Sequence, residues 1–375
     1  MKIRAYVLRE MGLPEPYVKS HPLELTTVDL DPPGPGEVLV RIRATGLCHS
    51  DLSVINGSRP RVMPMVLGHE AAGEVVELGQ GVTDLHPGDH VVSTFVPSCG
   101  HCIPCQEGRP AMCEPGNSAN SAGTLLSGEI KLYLEGDQLH HHLGVSGFAE
   151  YAVIDRRSLV KVDPDIPLDI VAMFGCAVLT GVGAVVNTAK ISVGSSVAIV
   201  GLGGVGFSAL LGAQLAGARL IIAIDIQPHK LSMASDFGAT YVFDSRDSDV
   251  IPRIRELTGG GVDFAFETAG SVQAMRVAYA ITRRGGTTVT SGLPHPEHQF
   301  AFPLVTMTAE ERRVMGSYMG SSVPSRDIPR YLELYKRGKL PINKLLSSRI
   351  SFDELNEGFD RLNQGAVVRQ VAVIP

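Results

Sequence analysis

The chain has 375 residues, 44% of them apolar, and a formal net charge of −6. That length is too great for one core and predicts two or three domains. The negative balance, with no basic stripe, excludes nucleic acid and anionic membrane as natural partners and leaves a small-molecule protein as the better fit.

The N-terminal MKIRAYVLREMG alternates apolar and polar residues, so it reads as a strand and not as a signal peptide. No apolar run reaches the length of a bilayer span. Clustered cysteines in such a chain indicate metal ligands under reducing conditions more than disulfides, which predicts a cytoplasmic protein. Short β-branched runs at 38–42, 72–78 and 90–94, separated by Pro and Gly turns, predict a β-rich, barrel-like domain over residues 1–177. Strands then alternate with helical stretches over 178–320, as parallel βαβ units in a doubly wound sheet do. The regularity fades after about residue 320, and the strand-like VVRQVAVI suggests that 321–375 return to the first domain. The expected class is therefore α/β.

Within the second domain, VAIVGLGGVGFSALLGAQLAGARLIIAID places Gly201, Gly203 and Gly206 directly after a strand and at the opening of a helix, with Gly204 and Val205 between the last two. Such glycines permit a tight turn and close approach of a pyrophosphate to the helix N-terminus. Asp225, nineteen residues past the last glycine, would accept hydrogen bonds from a ribose diol and repel a 2′-phosphate, so NAD is favoured over NADP. Lys230 could add a ribose contact.

All six cysteines fall into two groups. Cys99, Cys102, Cys105 and Cys113 have two, two and seven residues between them, the spacing of a closed tetrathiolate zinc site. An iron–sulfur cluster fits the seven-residue gap poorly. Cys48 and Cys176, far apart in sequence, would need a third ligand such as His69 in GHE. Two Cys and one His leave an open fourth position, the arrangement of catalytic zinc. Asp51 and Glu70, beside these ligands, are natural orienting groups.

Together GLCHSDLSVINGS, GHEAAGEVVELGQGV, the four-cysteine run, FGCAVLTGVGA and GLGGVG resemble the zinc-dependent alcohol dehydrogenases of the medium-chain dehydrogenase/reductase superfamily. The segment from 116 to 147, closing on HHHLGVSGFAEY, resembles its liver-type and glutathione-dependent formaldehyde dehydrogenase branch. The resemblance implies a GroES-like catalytic domain with a Rossmann-type domain, and two zinc ions per chain. Cys48, His69 and Cys176 would hold the catalytic ion, and the four-cysteine run the structural one. It further implies that Ser50 takes the substrate proton and that Phe95, Phe148 and Leu293 line the pocket. Thr180 and Val205 would pack on the nicotinamide, and Arg369 would reach the pyrophosphate. His49 stands where many members have a phosphate-binding arginine, which implies faster NADH release. Where liver-type members carry a relay histidine this chain has Ser53, and the His140, His141, His142 run reads as surface.

The implied reaction is reversible oxidation of a primary alcohol, apolar or aromatic in view of the two phenylalanines, by hydride transfer to NAD. Oxidation of S-hydroxymethyl conjugates of formaldehyde shares every motif and is the nearest rival. A non-catalytic NAD-binding protein is a rival of another class, although no catalytic ligand is missing. The resemblance also implies a homo-oligomer, a dimer in preference to a tetramer, paired through the stretch from GGTTVTSGLP to MGSYMG.

Overall fold

The structure is a computed structural model that describes all residues from 1 to 375. The chain forms two compact units, one of residues 1–176, 323–333 and 346–375 and the other of residues 177–322 and 334–345. The return to the first unit is thus in two pieces, and residues 334–345 stay with the second. No single helix is long and apolar enough to cross a membrane.

The first unit holds a closed five-stranded barrel and a seven-stranded sheet. The strand Glu37–Gly46 shows why both are dry. Its Val38, Val40 and Ile42 enter one core cluster while Leu39, pointing the other way, enters a second. The C-terminal strand Arg369–Val373 lies in the same sheet, antiparallel to Glu37–Gly46 and parallel to Leu346–Ser351. A further long-range tie joins the chain's two ends. The short helix Tyr17–Ser20 has no cap of its own, and the buried Asp360 carboxylate accepts from Tyr17 N at 2.7 Å and Val18 N at 2.9 Å.

The second unit is a six-stranded parallel sheet in which Tyr241–Asp244, Leu220–Asp225, Ser196–Val200, Val262–Glu267, Thr282–Thr290 and Arg313–Gly316 follow one another across the sheet. Numbered by chain order this is 3-2-1-4-5-6, the doubly wound dinucleotide-binding order. Its central strands Ser196–Val200 and Val262–Glu267 flank the point where strand order reverses, and ligands bind beyond the carboxyl ends of strands there.

Candidate functional site

The four-cysteine run closes on itself. The sulfur atoms of Cys99, Cys102, Cys105 and Cys113 all lie within 4.8 Å of one another. Cys99 Sγ accepts from His101 N at 3.4 Å and Cys102 N at 3.3 Å, and Cys113 Sγ from Cys99 N at 3.1 Å and Gly116 N at 3.3 Å. Backbone N–H groups aimed at sulfur stabilise thiolate. Burial works against the Cys99 thiolate, but these bonds bring its pKa down to about 6. With four soft ligands this close together, the cluster suits a structural zinc and leaves no place for substrate.

Three distant parts of the first unit build the open cluster. Cys48 ends the strand-to-helix turn before His49–Ile55, His69 follows Gly68, and Cys176 ends the first unit's leading segment. Cys48, His69, Glu70 and Cys176 have ligand atoms within 4.8 Å of one another. A hydrogen bond from the Cys176 thiol, together with His69, holds the Cys48 thiol well below its ordinary pKa, whereas that same pairing and burial push Cys176 well above. Burial disfavours a charged His69, yet Asp51 and the Cys48 thiolate outweigh it and raise His69 to about 10.

Asp51 is completely buried, and its Oδ1 accepts from Gly68 N at 3.1 Å and meets His69 Nδ1 at 3.1 Å. This contact fixes His69 with its Nδ1 toward the carboxylate, leaving Nε2 for a metal. Burial raises the Asp51 pKa, and the facing histidines more than offset it, so the carboxyl is held low. Glu70 is also fully buried and forms an ion pair with Arg369, itself buried. A side chain on Gly46 would collide with that pair, so Gly46 supplies a close approach that sequence reasoning missed.

Around this cluster, His49 is exposed and Ser50 half-buried in the first turn of the helix His49–Ile55. Ser53 Oγ donates to His49 O at 2.8 Å, so it is engaged within its own helix. The Phe95 ring stands edge-on to His69, with centroids 5.7 Å apart at 87°. Phe148 differs from its expected place in a pocket. It has no exposed surface and packs in the core against Phe359, with rings 5.8 Å apart. The histidine run also departs from a surface reading. His141 and His142 are each 1% exposed, and burial lowers the pKa of both, that of His141 to about 3. Polar repetition suggested solvent, but the tight turn after His142 folds the run inward. There Val145 N donates to His142 O at 3.0 Å and His142 N to Ser146 Oγ at 3.1 Å.

In the second unit the strand Ser196–Val200 delivers Gly201, whose φ of +99° suits glycine, and a Cβ there would meet Ala269 at 2.8 Å. Gly203 caps the helix Gly204–Leu215, and a Cβ on it would meet nothing within 4 Å, leaving the open space that a pyrophosphate needs. A Cβ on Gly206 would strike Gly201 O, so this glycine closes the helix onto the turn. Asp225 ends the strand Leu220–Asp225 and accepts from Leu202 N at 2.6 Å and Gln227 N at 2.8 Å, bracing the glycine turn. Lys230 is buried beside it. Burial lowers its pKa, and Asp225 opposes the shift. Gly181 lets the helix Ala177–Gly183, which carries Thr180, lie against Val205 O. Leu293 is exposed. Sequence reasoning missed Glu267, whose carboxylate accepts from Gly270 N at 2.6 Å and Thr290 Oγ at 2.8 Å, and Thr268, which donates to Gly201 O at 2.6 Å. Nothing in their local pattern marks them.

Comparison with known proteins agrees with this geometry. Residues 34–164 match the alcohol dehydrogenase GroES-like domain and residues 204–337 the zinc-binding dehydrogenase family. An S-(hydroxymethyl)glutathione dehydrogenase of Synechocystis sp. is 37% identical, with 99% of each chain covered. Among solved structures, the alcohol dehydrogenase zinc-binding domain protein of Burkholderia ambifaria has a TM-score of 0.93 at 35% identity, covering 100% of this chain and 99% of that one. The benzyl alcohol dehydrogenase of Acinetobacter calcoaceticus has a TM-score of 0.93 at 34% identity, with both chains fully covered. The chain belongs to the zinc-dependent alcohol dehydrogenases of the medium-chain dehydrogenase/reductase superfamily. It is an NAD-dependent oxidoreductase with places for two zinc ions.

The protonation of the open cluster makes a prediction. Without metal, His69 is raised to about 10 and Cys176 is pushed well above the ordinary thiol value, so both hold protons at neutral pH, while Cys48 is held well below its ordinary value. Zinc requires a neutral imidazole and two thiolates, so its binding at this site releases about two protons, and affinity falls as pH falls. A pH-indicator titration with zinc, on protein stripped only of its catalytic ion, measures this directly. Release of no protons would show that these three residues are not the ligands.

Proposed function

We propose that the protein oxidises primary apolar alcohols, aromatic ones in particular, to aldehydes with NAD, and reduces the aldehydes in reverse. The observation that carries this reading is the Phe95 ring set edge-on against His69, which puts an apolar surface beside one member of the metal cluster. Bound zinc supplies the charge that lowers a hydroxyl pKa, and NAD supplies the ring that accepts hydride. The chain's own residues do the rest. Cys48, His69 and Cys176 hold the ion, and Asp51 keeps His69 aimed at it. Ser50, two residues after Cys48, accepts the hydroxyl proton of the substrate. Ser53 donates its O–H to His49 O, and the proton passes from Ser50 toward solvent by the exposed start of this helix. Thr180 and Val205 support the nicotinamide, with Asp225 and Lys230 on the ribose.

A second reading is oxidation of S-hydroxymethyl thiol conjugates, favoured by the name of the 37% identical relative over its full length. NADH formation at a panel of substrates separates the two. Turnover of benzyl alcohol, falling at least about tenfold in kcat/KM for Phe95→Ala through lost apolar contact, supports the first reading. Turnover only with formaldehyde plus a thiol supports the second.

We also propose that two copies pair along the edge strand Arg313–Gly316. That strand is exposed with Met315 uncovered, and beside it in sequence the helix Leu304–Ala309 has no buried residue, with Leu304 75% and Val305 73% exposed. Sedimentation at micromolar concentration is expected to give a dimer and, for Leu304→Asp with Val305→Asp, a monomer. A wild-type monomer, or a dimer that survives both charges, contradicts this interface.

A further inference from the structure

The triplet His140–His142 is not absorbed by the reaction described above, and its last member stands next to the metal cluster. His142 Nδ1 lies 3.1 Å from Asp51 Oδ1, the same oxygen that His69 Nδ1 meets at 3.1 Å. The His142 and His69 rings are nearly perpendicular, at 84°, with centroids 5.5 Å apart, so His69 is in edge contact with both His142 and Phe95. The His142 N–H is turned off the ideal line, and neither of its ring nitrogens completes a hydrogen bond elsewhere. Asp51 Oδ2 is likewise buried without a partner. A fully buried carboxylate with a spare oxygen beside a buried imidazole with a spare N–H is a costly juxtaposition unless the two are used together.

The backbone independently fixes this contact. The turn that begins at His142 is sewn onto the segment leading to His69, through Gly147 N to Gly68 O at 2.8 Å and Phe148 N to Leu67 O at 3.0 Å. Asp51 Oδ1 reaches that same segment by accepting from Gly68 N. One carboxylate therefore meets the helix that follows Cys48, the backbone that carries His69, and the turn that carries His142. Its oxygen has a hydrogen bond on the second side, and the His142 ring closes the third.

We propose that His142 is a positioning residue of the catalytic metal site. It holds the Asp51 carboxylate so that Asp51 can keep His69 Nε2 pointed at the ion, and so slows loss of that ion. The inference rests on Cys48, His69 and Cys176 being the zinc ligands. That premise is checked separately by Cys48→Ser, which must hold one zinc fewer per chain than the parent protein.

The test uses the full-length protein loaded with zinc at both sites. Transfer of zinc to a coloured chelator is followed for the parent, His142→Phe, which keeps a ring of similar size, and His142→Gln, which restores a donor. The same proteins carrying cobalt in the catalytic site are compared by their visible absorption. His142→Phe is expected to release one of its two zincs about 10–100-fold faster, with the other unchanged and with a shifted cobalt band. His142→Gln is expected to recover most of both. His142→Leu carries the same comparison if the phenylalanine variant does not fold. The proposal is overturned if the apolar variant releases both ions at the parent's rates with an unaltered cobalt band. It is equally overturned if both ions loosen together, which marks a general packing role, or if the parent binds a third metal that the variant loses, which makes His142 a ligand.

Discussion

A buried carboxylate governs the open metal cluster. Asp51 has no exposed surface, and its Oδ1 faces Gly68 N and the imidazoles of His69 and His142, so one side chain fixes groups from three separate parts of the first unit. An ionised carboxylate in such surroundings is costly unless its neighbours are cationic or donate to it. The fold meets that requirement with the backbone that carries His69. Metal ligation and packing are consequently one constraint, because a shift in the turn at 142–148 moves the backbone before His69.

The two cysteine groups illustrate opposite ways of building a zinc site. The closed one is local, since its ligands occupy fifteen consecutive positions from 99 to 113 and are aligned by N–H groups of the same loop. The open one is nonlocal, and its cysteines and histidine come from positions 48, 69 and 176, brought together only by the fold. The glycine turn in the second unit is local again. Gly201 and Gly206 touch each other, and Asp225 returns one strand later to brace Leu202 N.

This difference explains what could be read from the sequence. The glycine turn and the four-cysteine run are legible because short-range spacing fixes their geometry, and the parallel, doubly wound class of the sheet, though not its strand order, follows from the alternation of strands and helices. Cys48, His69 and Cys176 could be grouped by ligand type, but no local period connects them, and their roles came from resemblance. Phe148 was misplaced because an aromatic residue beside a site motif looks the same in sequence whether it faces a ligand or, as here, Phe359. Three histidines in a row look polar and so read as surface, and only the tertiary turn that closes on Ser146 buries His141 and His142. The same limit hid Glu267 and Gly46, whose roles arise from partners remote in sequence.

The most direct test of this account is anomalous diffraction at the zinc edge from crystals of the full-length protein. The account predicts two peaks, one among Cys99, Cys102, Cys105 and Cys113 and one on Cys48, His69 and Cys176, with Glu70 remaining on Arg369 and a fourth position open. A single peak would contradict it, as would a second ion whose fourth ligand is the Glu70 carboxylate, because the position assigned to substrate would then be closed.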